Sequence, residues 1–285
     1  MKKSIVLPAK NEASAIGKVV DKLCSLFPES EIIVVNDAST DSTAAIAAQN
    51  GATIVLSHPY CMGNGAAIKT GARVATAEII VFMDGDGQHN PEDLHRLLEK
   101  YHEGYDMVVG ARDPGSQAGK RRLIGNALYN HLATLITGHK IEDLTSGLRV
   151  VEASKFREFL HLLPNGFSYP TTITMAFFRS GYSVAYVPIT ADRRTGKSHI
   201  RIIRDGLRFL LIIFRIGTLY SPLKVFFPVS ALFFLAGLAV YIKNYIVREQ
   251  FTNMSAMLML AAILVFLIGL VSEQITNLLY ASRKS

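Results

Sequence analysis

The sequence predicts an α/β protein in which a mostly parallel, helix-covered sheet precedes a lipid-surface helix and a pair of membrane-crossing helices. Three observations lead there. From Ser4 to Val109, short apolar runs alternate with helical patterns. The last third holds two long stretches without charge, and arginines interleaved with bulky aliphatics stand before the first of them. Apolar strands alternating with helices are the pattern of a parallel sheet buried on both faces.

The elements follow in order. Ser4–Leu7 is a first strand ending at Pro8, and Ile16, Val19, Val20, Leu23 and Leu26 then mark one face of a helix. Glu31–Val35 is a second strand. Asp41 caps the next helix and Gly51 stops it. Ala52–Leu56 is a third strand, Gly65–Ala75 a helix and Ile79–Met83 a fourth strand. Asn90-Pro91-Glu92-Asp93 is a helix start, with a cap, a proline in the first turn and acids at the positive end of the dipole. Gly104 ends that helix, and Met107–Val109 is a fifth strand. The middle, Arg112–Pro188, is less regular. It holds a basic segment at Lys120, Arg121 and Arg122, a helix to Leu135, a polar turn at Asp143–Arg149 and a strand at Val184–Val187.

The C-terminal part is of another kind. Val225–Ile242 gives 18 residues without a charge and Gln250–Ser272 gives 23. Either run can cross a hydrocarbon core of roughly 30 Å. In Ile200–Tyr220, Arg201, Arg204, Arg208 and Arg215 mix with Ile202, Ile203, Leu207, Leu210, Leu211 and Phe214, as in a helix lying on an anionic leaflet. The division expected is a catalytic domain over 1–198, a juxtamembrane helix over 199–221, and a hairpin with tail over 222–285. Basic residues flank the spans, so both termini and the catalytic domain are expected on the cytosolic side. Ile5–Leu7 is too short an apolar stretch for a signal peptide.

The net charge of +7 points to an anionic partner. The arginines gather next to the spans, which favours lipid over nucleic acid. Cys24 and Cys61 have no metal or disulfide spacing and read as reduced structural thiols. His58, His89, His131 and His161 read as surface or packing residues, without zinc spacing.

The chemistry-bearing motif is Asp84-Gly85-Asp86-Gly87-Gln88-His89, directly after the fourth strand. Carboxylates one residue apart at a strand's carboxyl end sit where α/β sheets bind ligands. Hard oxygen donors suit Mg²⁺ or Mn²⁺, which bridge phosphates. Val34–Asp41 ends the second strand. Its Asp37 is placed either to bond a ribose or base edge or to shape a plain turn. Leu7-Pro8-Ala9-Lys10-Asn11-Glu12 ends the first strand at the same edge. Gly63–Lys69 opens a helix whose free amides can meet an anion, and Lys69 is a candidate cofactor-binding residue.

In order and spacing these segments resemble the family 2 glycosyltransferases, and most closely the dolichyl-phosphate mannose synthase and bactoprenol glucosyltransferase branch. The resemblance implies a GT-A fold, a nucleotide-sugar donor and a polyprenyl phosphate acceptor. It implies that Pro8, Asn11, Glu12 and Asp37 contact the nucleoside, and that Asp84, Asp86 and Gln88 hold the metal and diphosphate. It places Arg112 and Lys120–Arg122 toward the acceptor phosphate, Asp143–Arg149 near the reacting centre, and Arg193, Gly196 and Ser198 over the diphosphate. The residues expected to carry the chemistry are Asp86, Asp143, Arg112, Arg121 and Arg122. The reaction expected is an inverting, metal-dependent hexose transfer from a GDP- or UDP-linked sugar. The alternatives are a membrane-tethered transferase of this family acting on a saccharide or protein, and a non-enzymatic scaffold. A processive polysaccharide synthase would carry a Gln-X-X-Arg-Trp element, and the chain has no tryptophan. Gly237 and Gly269 are candidates for close helix approach, with a homo-oligomer through the spans as one outcome.

Overall fold

The computed structural model describes residues 2–113, 120–166, 169–190, 214, 217–218, 220–248, 250 and 252–281. The chain divides into two compact units, one of residues 1–134 and 139–199, the other of 135–138 and 200–285.

The first unit is built on a seven-stranded sheet. Its strands are β1 (Lys3–Ala9), β2 (Glu31–Asn36), β3 (Ile54–Ser57), β4 (Ile79–Phe82), β5 (Met107–Arg112), β6 (Arg149–Glu152) and β7 (Val184–Ile189), in the spatial order β3-β2-β1-β4-β6-β5-β7. All pairings are parallel except those of β6, which runs antiparallel between β4 and β5. The helices are α1 (Ile16–Leu26), α2 (Thr43–Gln49), α3 (Asn64–Val74), α4 (Asp93–His102), α5 (Lys120–Thr137), α6 (Ala153–Glu158) and α7 (Tyr169–Arg179). The central strands are buried on both faces, so Ile5, Val6 and Leu7 are all inside, as are Ile79–Phe82. Helix α1 buries Ile16, Val19, Val20 and Leu23, the stripe read from its sequence, with Leu26 packed at the edge.

The boundaries shift at two helix starts. Asp41 precedes the cap residue Ser42, yet its Oδ1 still accepts the Thr43 amide at 3.1 Å. Helix α4 becomes regular at Asp93 after a turn in which Asn90 Oδ1 accepts the Glu92 amide. The sequence patterns give no sign of strand β6 or of helices α6 and α7. β6 begins with a charged residue inside the stretch read as a polar turn. α7 is rich in threonine and has Pro170 in its first turn, so it carries no amphipathic stripe; Tyr169–Phe177 are buried on every side.

The second unit contains α8 (Pro222–Arg248) and α9 (Asn253–Ala281). Each has a 26-residue stretch long and apolar enough to cross a membrane, Pro222–Val247 and Asn253–Leu278. Their outward faces carry Phe233, Leu235, Leu264 and Ile268. Ser230 Oγ donates to the Ala262 carbonyl at 2.8 Å, and Glu273 Oε2 accepts the Leu223 amide at the start of α8. Gly237 and Gly269 serve this pair: a Cβ on Gly237 would lie 3.0 Å from Leu258 Cβ, and one on Gly269 2.8 Å from Phe226 Cβ. The juxtamembrane helix expected over 199–221 lies almost wholly outside the described residues.

Gly65 locks α3 against the 164–166 segment. A Cβ there would overlap the Pro164 carbonyl oxygen and lie 2.8 Å from that of Gly166, both backbone atoms that cannot swing away. Gly65→Ala should therefore destabilise the protein by about 1–3 kcal/mol, against the roughly 1 kcal/mol that alanine gains over glycine in a helix. Thermal unfolding in detergent measures this; an unchanged or raised midpoint would contradict the packing described.

Candidate active site

Four segments meet at the carboxyl edge of the sheet. Three follow the parallel strands β1, β2 and β4. The fourth precedes β6, whose reversed direction brings its leading turn to the same edge. The register fixes this, since Phe82 near the end of β4 and Val109 on β5 both face Arg149 at the start of β6.

The turns after β1 and β2 are stitched together. Asn11 takes a left-handed backbone (φ 55°), which asparagine tolerates better than most residues. Its amide donates to Ser39 Oγ at 2.9 Å and its Oδ1 accepts the Thr40 amide at 2.8 Å. The Glu12 amide donates to Thr43 Oγ1, the Asp37 amide to the Ala9 carbonyl, and the Gly85 amide to the Pro8 carbonyl. Pro8, Asn11, Glu12 and Asp37 thus form one rim beside the turn after β4.

Asp37 is a hub. It is 4% exposed. Its Oδ1 accepts from His58 Nδ1 and the Met62 amide, both at 2.8 Å; its Oδ2 accepts from the Gly63 amide at 2.8 Å and the Cys61 thiol at 3.2 Å. Burial raises its pKa, but these donors outweigh that and bring it down to about 2. A ligand donor reaching Asp37 competes first with the thiol, the weakest of the four. Cys61 is exposed and also accepts from Lys10 Nζ at 2.7 Å, so it belongs to this rim and not to the core. His58 is a half-buried partner of Asp37, bonded on its other side to Thr70 Oγ1. The parallel register Asn36↔Ser57 is the signal that places His58 there.

Lys69 points elsewhere. Its ammonium donates to the Leu163 carbonyl at 3.1 Å and to Asn165 Oδ1. At the start of α3 the Ala66 amide is taken by the Asn165 carbonyl, so this helix end spends an amide on the protein itself, contrary to the expectation of free amides.

Asp84, Asp86 and Gln88 are half-buried after β4, with Gly87 at φ 75° and the Gln88 amide donating to Asp86 Oδ1. His89 is buried, with Nε2 3.8 Å from Asp84 Oδ2 and an Nδ1 that makes no hydrogen bond among the described residues. Burial pushes its pKa down, against the pull of the neighbouring acids. Gly147 lies against Asp84: a Cβ on it would sit 2.5 Å from Oδ2. Across from these, Asp143 grips Arg112 through two parallel bonds, Nε to Oδ2 at 2.8 Å and Nη2 to Oδ1 at 3.0 Å. Asp143 also accepts the Arg112 and Thr145 amides, and Arg112 Nη2 reaches Thr145 Oγ1 at 2.6 Å. Burial works to raise the Asp143 pKa, but the guanidinium and the amides hold it below the ordinary carboxylate range. The Arg112 side chain is 26% exposed, and its Nη1 edge is not engaged among the described residues.

The structure therefore brings Asp84, Asp86, Gln88, Arg112 and Asp143 together, next to the rim of Pro8, Asn11, Glu12 and Asp37. Arg121 and Arg122 lie on α5, but their side chains, like Arg193 and Ser198 as a whole, fall outside the described residues. Among the described residues no three His, Cys, Asp or Glu side chains gather into a self-sufficient metal cage. That donor set fits a hard divalent cation shared with a ligand, since Mg²⁺ is commonly held by one or two carboxylates plus phosphate oxygens.

The family described as Glycosyl transferase family 2 matches residues 4–160, and the GtrB C-terminal hairpin matches residues 221–278. Glycosyltransferase AglJ of Haloferax volcanii is 28% identical over 96% of this chain and 93% of its own. The polyprenol monophosphomannose synthase of Mycolicibacterium smegmatis is 30% identical over 67% of this chain and 77% of its own. The solved glucosyl-3-phosphoglycerate synthase of Mycobacterium tuberculosis, in complex with Mn²⁺, UDP and phosphoglyceric acid, superposes with a TM-score of 0.61 at 21% identity, covering 76% of this chain and 78% of that one.

The Asp37 hub has a measurable signature. Its folded pKa of about 2 lies below the unfolded value of roughly 3.9. Its contribution is complete above about pH 4 and is lost as pH falls toward 2. Each tenfold change in a carboxyl group's acidity on folding is worth about 1.4 kcal/mol. Asp37→Asn should therefore cost roughly 2 kcal/mol at neutral pH and should flatten the stability profile between about pH 4 and 2. Chemical unfolding across that range checks it; a variant whose profile parallels the wild type would contradict it.

Proposed function

The chain belongs to glycosyl transferase family 2, and on that premise we propose that it transfers a hexose from a nucleotide diphosphate sugar to a polyprenyl phosphate at the cytosolic membrane face. The observation that carries the reading is the Arg112–Asp143 pair set across from Asp84 at the carboxyl edge of a GT-A sheet. The named activity of the mycobacterial relative and the apolar hairpin support the lipid acceptor.

The reaction is a single in-line displacement. A phosphate oxygen of the acceptor forms a bond to the anomeric carbon. The bond from that carbon to the donor's diphosphate breaks, and its electron pair leaves on the nucleotide diphosphate, so the anomeric configuration inverts. The acceptor phosphate is largely ionised at pH 7, so no side chain needs to remove a proton. Asp143 fits that: its oxygens are filled by N–H donors and the Thr145 hydroxyl and its pKa is low, so its task is to hold Arg112. A guanidinium fixed on one edge by a carboxylate presents its other edge to an anion, and Arg112 Nη1 is that edge. Arg121 and Arg122 add positive charge for the acceptor phosphate, and Arg193 and Ser198 cover the diphosphate. Pro8, Asn11, Glu12 and Asp37 take the nucleoside. Asp84, Asp86 and Gln88 would hold Mg²⁺ or Mn²⁺, which when bound neutralises charge on the departing diphosphate. Catalysis then consists of positioning two anions and stabilising a leaving group.

The test uses the full chain in detergent with labelled GDP-mannose or UDP-glucose, with and without polyprenyl phosphate and chelator. The expected product is an organic-extractable, acid-labile sugar lipid that requires both the lipid phosphate and a divalent ion. Asp86→Ala should lower its formation by about three orders of magnitude, as for loss of a main charge-stabilising group. Transfer to a soluble saccharide or a protein, with none to polyprenyl phosphate, would reject the lipid acceptor; chelator-resistant transfer would reject the metal assignment.

A further inference from the structure

Arg149 is the largest side chain among the described residues that is fully buried, at 0% exposure. Burying a guanidinium costs several kcal/mol unless charge and hydrogen bonds compensate. Among the described residues no carboxylate bonds it. Its partners are neutral: Nε donates to the Ser146 carbonyl at 2.9 Å, Nη2 to the Leu144 carbonyl at 3.3 Å, and Nη1 to Thr174 Oγ1 at 2.7 Å with Met107 Sδ 3.8 Å away. Thr174 in turn donates to the Pro170 carbonyl, which anchors this end of the fork in α7. Around the guanidinium the hydroxyls of Ser146, Tyr169 and Tyr186 are buried without a hydrogen bond among the described residues. So much polar cost in one place is not explained by stability, since a buried ionic group can often be replaced by an apolar one of similar volume without loss.

The two carbonyls show what the arginine does. Leu144 and Ser146 lie in the turn between Asp143 and Gly147. One end of that turn carries the carboxylate that grips Arg112, and the other lies against Asp84. We propose that Arg149 is a positioning residue for the transfer, clamping this turn from inside so that Asp143 holds Arg112 at a fixed place relative to Asp84. A planar fork suits three acceptors spread over two elements, whereas a lysine ammonium is a single point that cannot span them. The proposal rests on the site assignment given above but not on the identity of the acceptor.

The experiment compares Arg149→Met and Arg149→Lys with wild type, using whichever acceptor the wild-type chain glycosylates. Failure of the lipid-acceptor reading thus appears in the wild type, and failure of this inference in the variants. Turnover at saturating substrates, nucleotide diphosphate affinity and a structure of each variant are read together. Turnover should fall about 100-fold, the size expected for a misplacement near 1 Å, while nucleotide affinity stays within about threefold. The bidentate Arg112–Asp143 pair should open or shift, and Arg149→Lys, which keeps charge and volume for folding, should not restore turnover. Wild-type turnover in a folded variant, turnover and nucleotide affinity falling together with the folded fraction, or an undisturbed Arg112–Asp143 pair would each overturn the proposal.

Discussion

The site depends on one reversal of strand direction. Six strands of the sheet run parallel, and by themselves would bring only the segments that follow β1, β2, β3, β4, β5 and β7 to the ligand-binding edge. The antiparallel β6 between β4 and β5 adds a segment from the other direction, so residues 143–148 arrive at that edge before the strand begins. Asp143 is thereby set beside Arg112 at the end of β5, and Gly147 beside Asp84 at the end of β4. Glycine at 147 leaves the Asp84 carboxylate its position, because a Cβ there would push that carboxylate aside.

Around that constraint the charges fall into two kinds. Asp37 and Asp143 are held by internal donors: Asp37 organises the turn after β3, with the Cys61 thiol as the partner a ligand would displace first, and Asp143 aims an arginine. Asp84 and Asp86 are half-buried after β4, and in the proposed reaction they would hold the divalent ion. Arg149, inside, ties the turn of Asp143 to α7. The proposed transfer of a sugar from one phosphate-bearing molecule to another asks for this distribution, with cationic edges for the anions and carboxylates that orient or hold cations.

Much of this was legible in the sequence. Apolar runs between helical patterns located β1 to β5 and β7, and Asp84-Gly85-Asp86 after a strand located the edge. The charge-free runs located α8 and α9, because membrane thickness sets their length. β6 was hidden: it is four residues long, begins with Arg149 and ends with Glu152, so it reads as a polar turn. Its direction is a tertiary fact that no local pattern carries. Helix α7 was hidden by its threonines and by burial on every side. Asp37 was legible as an edge residue but not as a hub, since its donors His58, Cys61 and the amides of Met62 and Gly63 come from beyond the next helix and strand. Arg149 could be quoted within a motif, yet its burial shows only in the fold, where Thr174 of α7 bonds its guanidinium.

The contact between the β6 turn and the β4 turn is tested most directly by Gly147→Ala. The added methyl would displace the far end of the Asp84 side chain, which can rotate at little cost to folding. The measurement is calorimetric binding of nucleotide diphosphate with and without Mn²⁺. Unfolding should stay close to wild type and metal-independent binding should change little, while the metal-dependent gain in affinity falls about tenfold or more, roughly 1.4 kcal/mol. A variant that keeps the full metal-dependent gain would show that Gly147 does not confine Asp84, and that the reversed strand does not build the site.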